Sequence, residues 1–96
     1  GAMDIDVRAR TALITGADLK LSQREFDVLL CLARQFGRPV SRGQILDGAW
    51  GADADVTENA VDVYVGYLRK RLRAYPTAPH VQTVRGMGFA LHGTKA

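Results

Sequence analysis

Four cations, Arg69, Lys70, Arg71 and Arg73, fall within five residues with no carboxylate among them. Groups of this kind at this density suit a polyanion, since each can neutralise one phosphate and release its counterions. They close the stretch Thr57 to Ala74, in which Val61, Val65, Leu68 and Leu72 recur at i, i+4, i+7 and i+11, the spacing of one buried helical face. The opposite side of that helix collects Asn59, Val63, Gly66, Tyr67 and Lys70, flanked by Ala60, Tyr64, Arg71 and Arg73. Asn59, Val63 and Tyr67 are small or flat enough to approach base edges, while Arg69, Lys70, Arg71 and Arg73 can meet phosphates. Cations near a helix C-terminus also complement the macrodipole, so the helix taken alone leaves a merely solvated surface open.

Other reactive residue types point nowhere definite. Asp53-Ala54-Asp55-Val56-Thr57 matches the D-x-D-x-T string of aspartyl-phosphate phosphotransferases. That chemistry needs the first aspartate at the end of a buried strand beside a magnesium site. Here the string lies between two short helices, where a solvated turn with Asx bonding and a negative charge at a helix start is the simpler role. His80 and His92 are too few, and too far along the chain from Cys31, for a metal set. His80 reads as loop surface and Cys31 as incidental. No catalytic residue, metal or cofactor is expected, and the chain is not read as an enzyme.

The elements that must hold the basic helix are announced by local chemistry. From Asp4 to Leu21 the chain reads as three or four short antiparallel strands, with a turn at Gly16-Ala17-Asp18. Ser22-Gln23-Arg24-Glu25 is a capping box with Leu21 and Phe26 as its hydrophobic staple, and Phe26, Leu29, Leu30 and Ala33 give the helix behind it an apolar stripe. Gly37 and Pro39 stop that helix. Ser41-Arg42-Gly43-Gln44 is a second capping box, opening a short helix that runs to about Trp50. Thr57 is placed to cap the third helix, with Ala60 leaving its box half made. After Pro76 and Pro79, two β-rich runs flank Arg85-Gly86-Met87-Gly88 and read as a hairpin, Gly86 and Gly88 supplying the permissive turn that brings Arg85 forward. The core is expected to hold Phe26, Leu29, Leu30, Ile45, Leu46, Val61, Leu68 and Phe89.

Ninety-six residues at 47% hydrophobic content make one domain, close to the lower size at which a chain folds without disulfides or metal. Gly1-Ala2-Met3 reads as the remnant of a cleaved expression tag, residues 1–3, leaving 4–96 as the domain. A net charge of +3 is compatible with nucleic acid without demanding it. A single cysteine cannot form an internal disulfide and fits a reducing, cytoplasmic setting. No apolar run is long enough to cross a membrane.

Strands, helix, short helix, turn, longer helix and hairpin follow in the order of an α+β winged helix-turn-helix. The wording carries this further. LSQREFDVLLCLARQFGRPVSRGQIL, then AW, VDVYVGYLRKRL and VQTVRGMGFAL closely resemble the C-terminal effector domains of OmpR/PhoB-type response regulators, over about Asp4 to His92. The resemblance implies that the helix around Val61–Val65 enters a major groove, with Asn59, Ala60, Val63 and Tyr67 at base-contacting positions. It places Tyr64, Arg69 and Lys70 at or beside phosphate-contacting positions, Trp50 and Thr83 near the backbone, and Arg85 as a minor-groove reader. A narrow A·T-rich minor groove does concentrate the negative potential that draws a guanidinium. Positions 59, 66 and 67, often cationic or strongly polar in the family, are Asn, Gly and Tyr here, so no relative's target sequence transfers.

The expected function is therefore sequence-specific binding of double-stranded DNA and regulation of transcription within a two-component phosphorelay. The resemblance further implies a receiver domain and a sensor kinase as partners, dimers on direct-repeat half-sites, and a contact for RNA polymerase at residues 51–56; the isolated domain would be monomeric. The rival is a winged-helix module that docks a protein through Val63, Tyr64 and Tyr67.

Overall fold

The computed structural model describes residues 3–51 and 55–93. In chain order the elements are β1 (Met3–Asp6), β2 (Thr11–Ile14), β3 (Ala17–Asp18), α1 (Gln23–Arg34), α2 (Arg42–Ala49), α3 (Asn59–Arg73), β4 (His80–Val84) and β5 (Gly88–His92). This is an α+β winged helix-turn-helix: a three-stranded antiparallel meander, three helices and a two-stranded wing.

The meander pairs Met3 with Ile14 and Asp6 with Thr11. Met3, set aside on sequence grounds with the opening residues, is thus the first residue of β1 and packs against the core. The turn into β3 lies one step earlier than the sequence suggested. Thr15 and Gly16 both have positive φ, 46° and 87°, the backbone twist that lets a two-residue loop match the right-handed twist of its strands. Ala17 and Asp18, expected in the turn, pair instead with Ile14 and Leu13.

Both capping boxes close. Ser22 Oγ accepts from Glu25 N at 3.2 Å while Glu25 Oε1 accepts from Ser22 N at 2.8 Å, and Ser41 and Gln44 repeat the exchange at 3.1 and 3.0 Å. On α1 the buried side is broader than the expected stripe. Val28 and Leu32 are buried together with Phe26 and Leu29, whereas Leu30 is only half-buried, because α1 packs against α2, α3 and β5 at once. Leu46 on α2 is likewise half-buried at the margin of the core. Gly48 lets α1 and α2 approach closely: a Cβ there would stand 2.7 Å from Cys31 Sγ.

Helix α3 buries Val61, Val65, Leu68 and Leu72 as their spacing requires. Its start departs from expectation. Thr57 makes no side-chain cap; Glu58 precedes the helix with helical dihedrals, and the first amides bond to backbone carbonyls, Ala60 N to Thr57 O and Val61 N to Glu58 O, each at 3.0 Å. Tight i→i+3 bonds of this kind satisfy the orphan donors that a hydroxyl would otherwise take.

In the wing, Val81 faces Leu91 and Val84 faces Gly88. The backbone on the far side of β5 bonds to the α1–α2 connection, with Val40 N donating to Phe89 O at 2.7 Å and Phe89 N to Val40 O at 3.0 Å. This contact revises the reading of Gly88. A Cβ there would lie 2.0 Å from the Val40 carbonyl oxygen, so Gly88 serves strand contact with Val40, and Gly86 alone belongs to the turn that carries Arg85. Gly86, at φ 77°, holds the third position of a turn closed by Met87 N to Val84 O at 2.9 Å, where type II geometry demands positive φ. His80, expected in a loop, is the first residue of β4; it is exposed, and its ring stands 5.8 Å from that of His92 across the strands.

Candidate nucleic-acid interface

The outer side of α3 is free of the core along its length. Asn59, Val63, Gly66, Tyr67 and Lys70 are all exposed, Tyr67 with half of its surface accessible. Ala60 and Tyr64 are half-buried on its flank, and Arg71 and Arg73 are exposed. Exposed apolar surface at Val63 and Tyr67 costs solvation unless something covers it, and here it lies beside a cationic helix end.

A stack of rings fixes this face in place. Trp50, the C-cap of α2, meets Tyr64 edge to face at 5.4 Å, and Tyr64 meets Tyr67 in the same manner at 5.3 Å. Edge-to-face pairs each contribute about 0.5–1.5 kcal/mol beyond the area they bury. On the inner end Arg24 places its guanidinium 4.9 Å from the Trp50 ring and donates to the Ala49 carbonyl at the end of α2. The series Arg24, Trp50, Tyr64, Tyr67 therefore runs from α1 past the end of α2 to the outer face of α3. Local pattern offered no signal for Arg24, whose partners stand about 25 residues away in sequence.

The cations divide into two groups. Arg71 faces the buried carboxylate of Glu25 at 3.6 Å, while Arg42 Nε donates to Asp62 Oδ1 at 2.7 Å and so neutralises an exposed acid of α3. Arg69 is half-buried, its Nε donating to the Val81 carbonyl at 3.0 Å and its Nη2 to Thr83 Oγ1 at 2.6 Å. Among the described residues no carboxylate lies within ion-pair distance of Lys70, Arg73 or Arg85. Arg85 is exposed in the wing turn, two residues past the Thr83 that Arg69 draws toward α3.

The remaining reactive groups gather nothing. Among the described residues no three His, Cys, Asp or Glu side chains form a metal-holding group, and no helix is long and apolar enough to cross a membrane. Burial, with the nearby charge of Asp27, pushes the Cys31 thiol up, and Arg34 opposes this only in part. Asp53 and Ala54 of the D-x-D-x-T string lie outside the described residues; Gly51, Asp55, Val56 and Thr57 around them are exposed.

Residues 16–91, which contain every one of these side chains, match the family described as transcriptional regulatory protein, C terminal. The chain belongs to this family. Among relatives of the transcriptional regulatory domain, the transcriptional regulatory protein PrrA of Mycobacterium leprae is 42% identical over 91 residues, covering 95% of this chain and 39% of that protein. The chain thus spans about two-fifths of the length of that relative. The DNA-binding domain of RstA from Klebsiella pneumoniae, solved in complex with the RstA box, superposes with a TM-score of 0.80 at 32% identity, covering 96% of this chain and 92% of that one. The DNA-binding domain of the response regulator AdeR, solved with an intercistronic region, superposes with a TM-score of 0.84 at 25% identity and covers 97% and 95%. The OmpR/PhoB-type resemblance read from the sequence stands: this is a response-regulator effector domain of winged-helix fold.

Proposed function

We propose that this transcriptional regulatory domain binds double-stranded DNA in a sequence-specific way, with α3 in the major groove and the wing turn in the adjacent minor groove. The observation that carries the reading is the outer face of α3, where Asn59, Val63 and Tyr67 are exposed, Tyr67 seated on a ring stack, beside Lys70 and Arg73, which have no carboxylate partner among the described residues. In this arrangement Asn59 reads adenine through its amide, Val63 packs on a thymine methyl and Tyr67 offers its hydroxyl or ring edge, with Ala60 close to the same bases. Lys70, Arg71 and Arg73 neutralise phosphates, Tyr64 and Trp50 border the backbone, Thr83 lies at the root of the wing, and Arg85 enters the minor groove.

In the full-length protein a receiver domain, phosphorylated through a sensor kinase, brings two such domains onto direct-repeat half-sites about one helical turn apart. Residues 51–56 then supply a contact for RNA polymerase. Selection of bound duplexes from a random pool tests the core of this proposal. A recovered motif repeated at a spacing of about one helical turn supports it; a pool that stays random after several rounds removes it, and leaves protein docking through Val63, Tyr64 and Tyr67 as the surviving role.

A further inference from the structure

Phe89 is buried in β5 with two guanidiniums against its ring, that of Arg42 from the start of α2 at 4.8 Å and that of Arg69 from α3 at 5.5 Å. Arg42 is itself tied to Asp62 of α3, and Arg69 spends its Nε and Nη2 on Val81 and Thr83 of β4. Both strands of the wing are therefore joined to α3 by polar contacts that converge on one ring. A two-stranded hairpin has little stability of its own, so the direction in which its tip points depends on what holds its base.

We propose that Arg69 is a positioning residue for the wing rather than a phosphate contact, and that with Arg42 and Phe89 it sets where Arg85 stands relative to α3. This rests on the duplex-binding reading of α3. A guanidinium that has given its Nε–H and one Nη2–H to Val81 and Thr83 keeps three N–H groups, but its plane is fixed by those two acceptors, and a planar fork holding two acceptors cannot be replaced by the point charge of lysine. Its contribution to recognition is thus geometric: it fixes the distance between groove-reading side chains on α3 and the arginine of the wing, and so determines discrimination at the flank that the wing meets.

The test uses Arg69→Lys, Arg69→Gln and Thr83→Val. Each is titrated against duplexes whose wing-side flank is A·T or G·C, over a range of salt, and amide hydrogen exchange across residues 83–88 is followed in the free protein. The expected result is loss of flank discrimination on the order of ten-fold in all three, the size of one charge-assisted hydrogen bond, with lysine no better than glutamine. Exchange in the free wing should accelerate in each variant, and Thr83→Val should leave the salt slope unchanged. Wild-type affinity and flank preference in Arg69→Lys, together with a salt slope reduced by about one in Arg69→Gln, would make Arg69 a phosphate contact and overturn the proposal. Unchanged exchange at residues 83–88 would overturn it equally. Failure of the wild type to bind any duplex would instead remove the functional reading, with exchange in the free protein still deciding whether Arg69 holds the wing.

Discussion

Replacing Gly88 with alanine should damage this domain far more than the same change at Gly86, although both glycines border one short turn. At Gly88 a methyl carbon would fall 2.0 Å from the Val40 carbonyl oxygen and 2.8 Å from Ser41 Cα. These are backbone atoms, so relief requires β5 to move off the α1–α2 connection. Two hydrogen bonds span that gap, Val40 N to Phe89 O and Phe89 N to Val40 O, each contributing about 0.5–1.5 kcal/mol. The φ of 132° adds strain of about 1–3 kcal/mol for a residue with a side chain. Together these amount to about 2–6 kcal/mol, a large part of the roughly 5–15 kcal/mol that holds a small domain folded. At Gly86 nothing lies within 4 Å of the added methyl, so only the left-handed backbone term remains, about 1–2 kcal/mol. Urea unfolding followed by far-ultraviolet circular dichroism at 25 °C measures both. A Gly88→Ala variant no less stable than Gly86→Ala would show that the wing is not anchored through Val40, and the reasoning would fall.

Ser41→Ala should lower stability by about 1 kcal/mol through loss of its cap, whereas Thr57→Ala should change it by no more than a few tenths, since its hydroxyl caps nothing; thermal unfolding of the pair checks the contrast. Because burial and Asp27 hold the Cys31 thiol above its ordinary range, the folded protein keeps this proton more tightly than the unfolded chain does. Its contribution to stability should therefore be full at neutral pH and decline as pH rises past about 8.5, the value for a free thiol; alkylation by iodoacetamide at pH 8 should be slow until urea unfolds the domain, and rapid labelling of the native state would contradict this. Arg85→Ala should weaken binding most on duplexes with A·T-rich flanks, and equal loss on all flanks in a mobility-shift titration would reduce Arg85 to a plain phosphate contact.

Much of the scaffold was legible because its signals are local. Ser22 with Glu25 and Ser41 with Gln44 announce helix starts by a three-residue exchange, and the Val61, Val65, Leu68, Leu72 spacing orients α3 without reference to anything else. Where the outcome depended on a partner distant in sequence, the residues were silent. Gly88 resembled an ordinary turn glycine because Val40, which it must admit, lies 48 positions earlier. Arg69 looked like one more member of a basic run, yet Val81 and Thr83 claim two of its nitrogens. Arg24 sits inside a capping box and gives no hint that its guanidinium will rest on Trp50. Thr57 failed as a cap for a different reason: Glu58 already has helical dihedrals and the backbone meets its own donors, a choice between two cheap solutions that residue type does not determine.

The central claim is that the outer face of α3 meets a duplex, and salt dependence tests it most directly. Fluorescence anisotropy on a selected duplex should give a log–log slope of affinity against salt of roughly −2.7 to −3.6, for three or four phosphates neutralised at about 0.9 each, and Lys70→Gln should make that slope shallower by about one contact. No measurable duplex affinity at low salt, or an affinity indifferent to salt, would contradict the account.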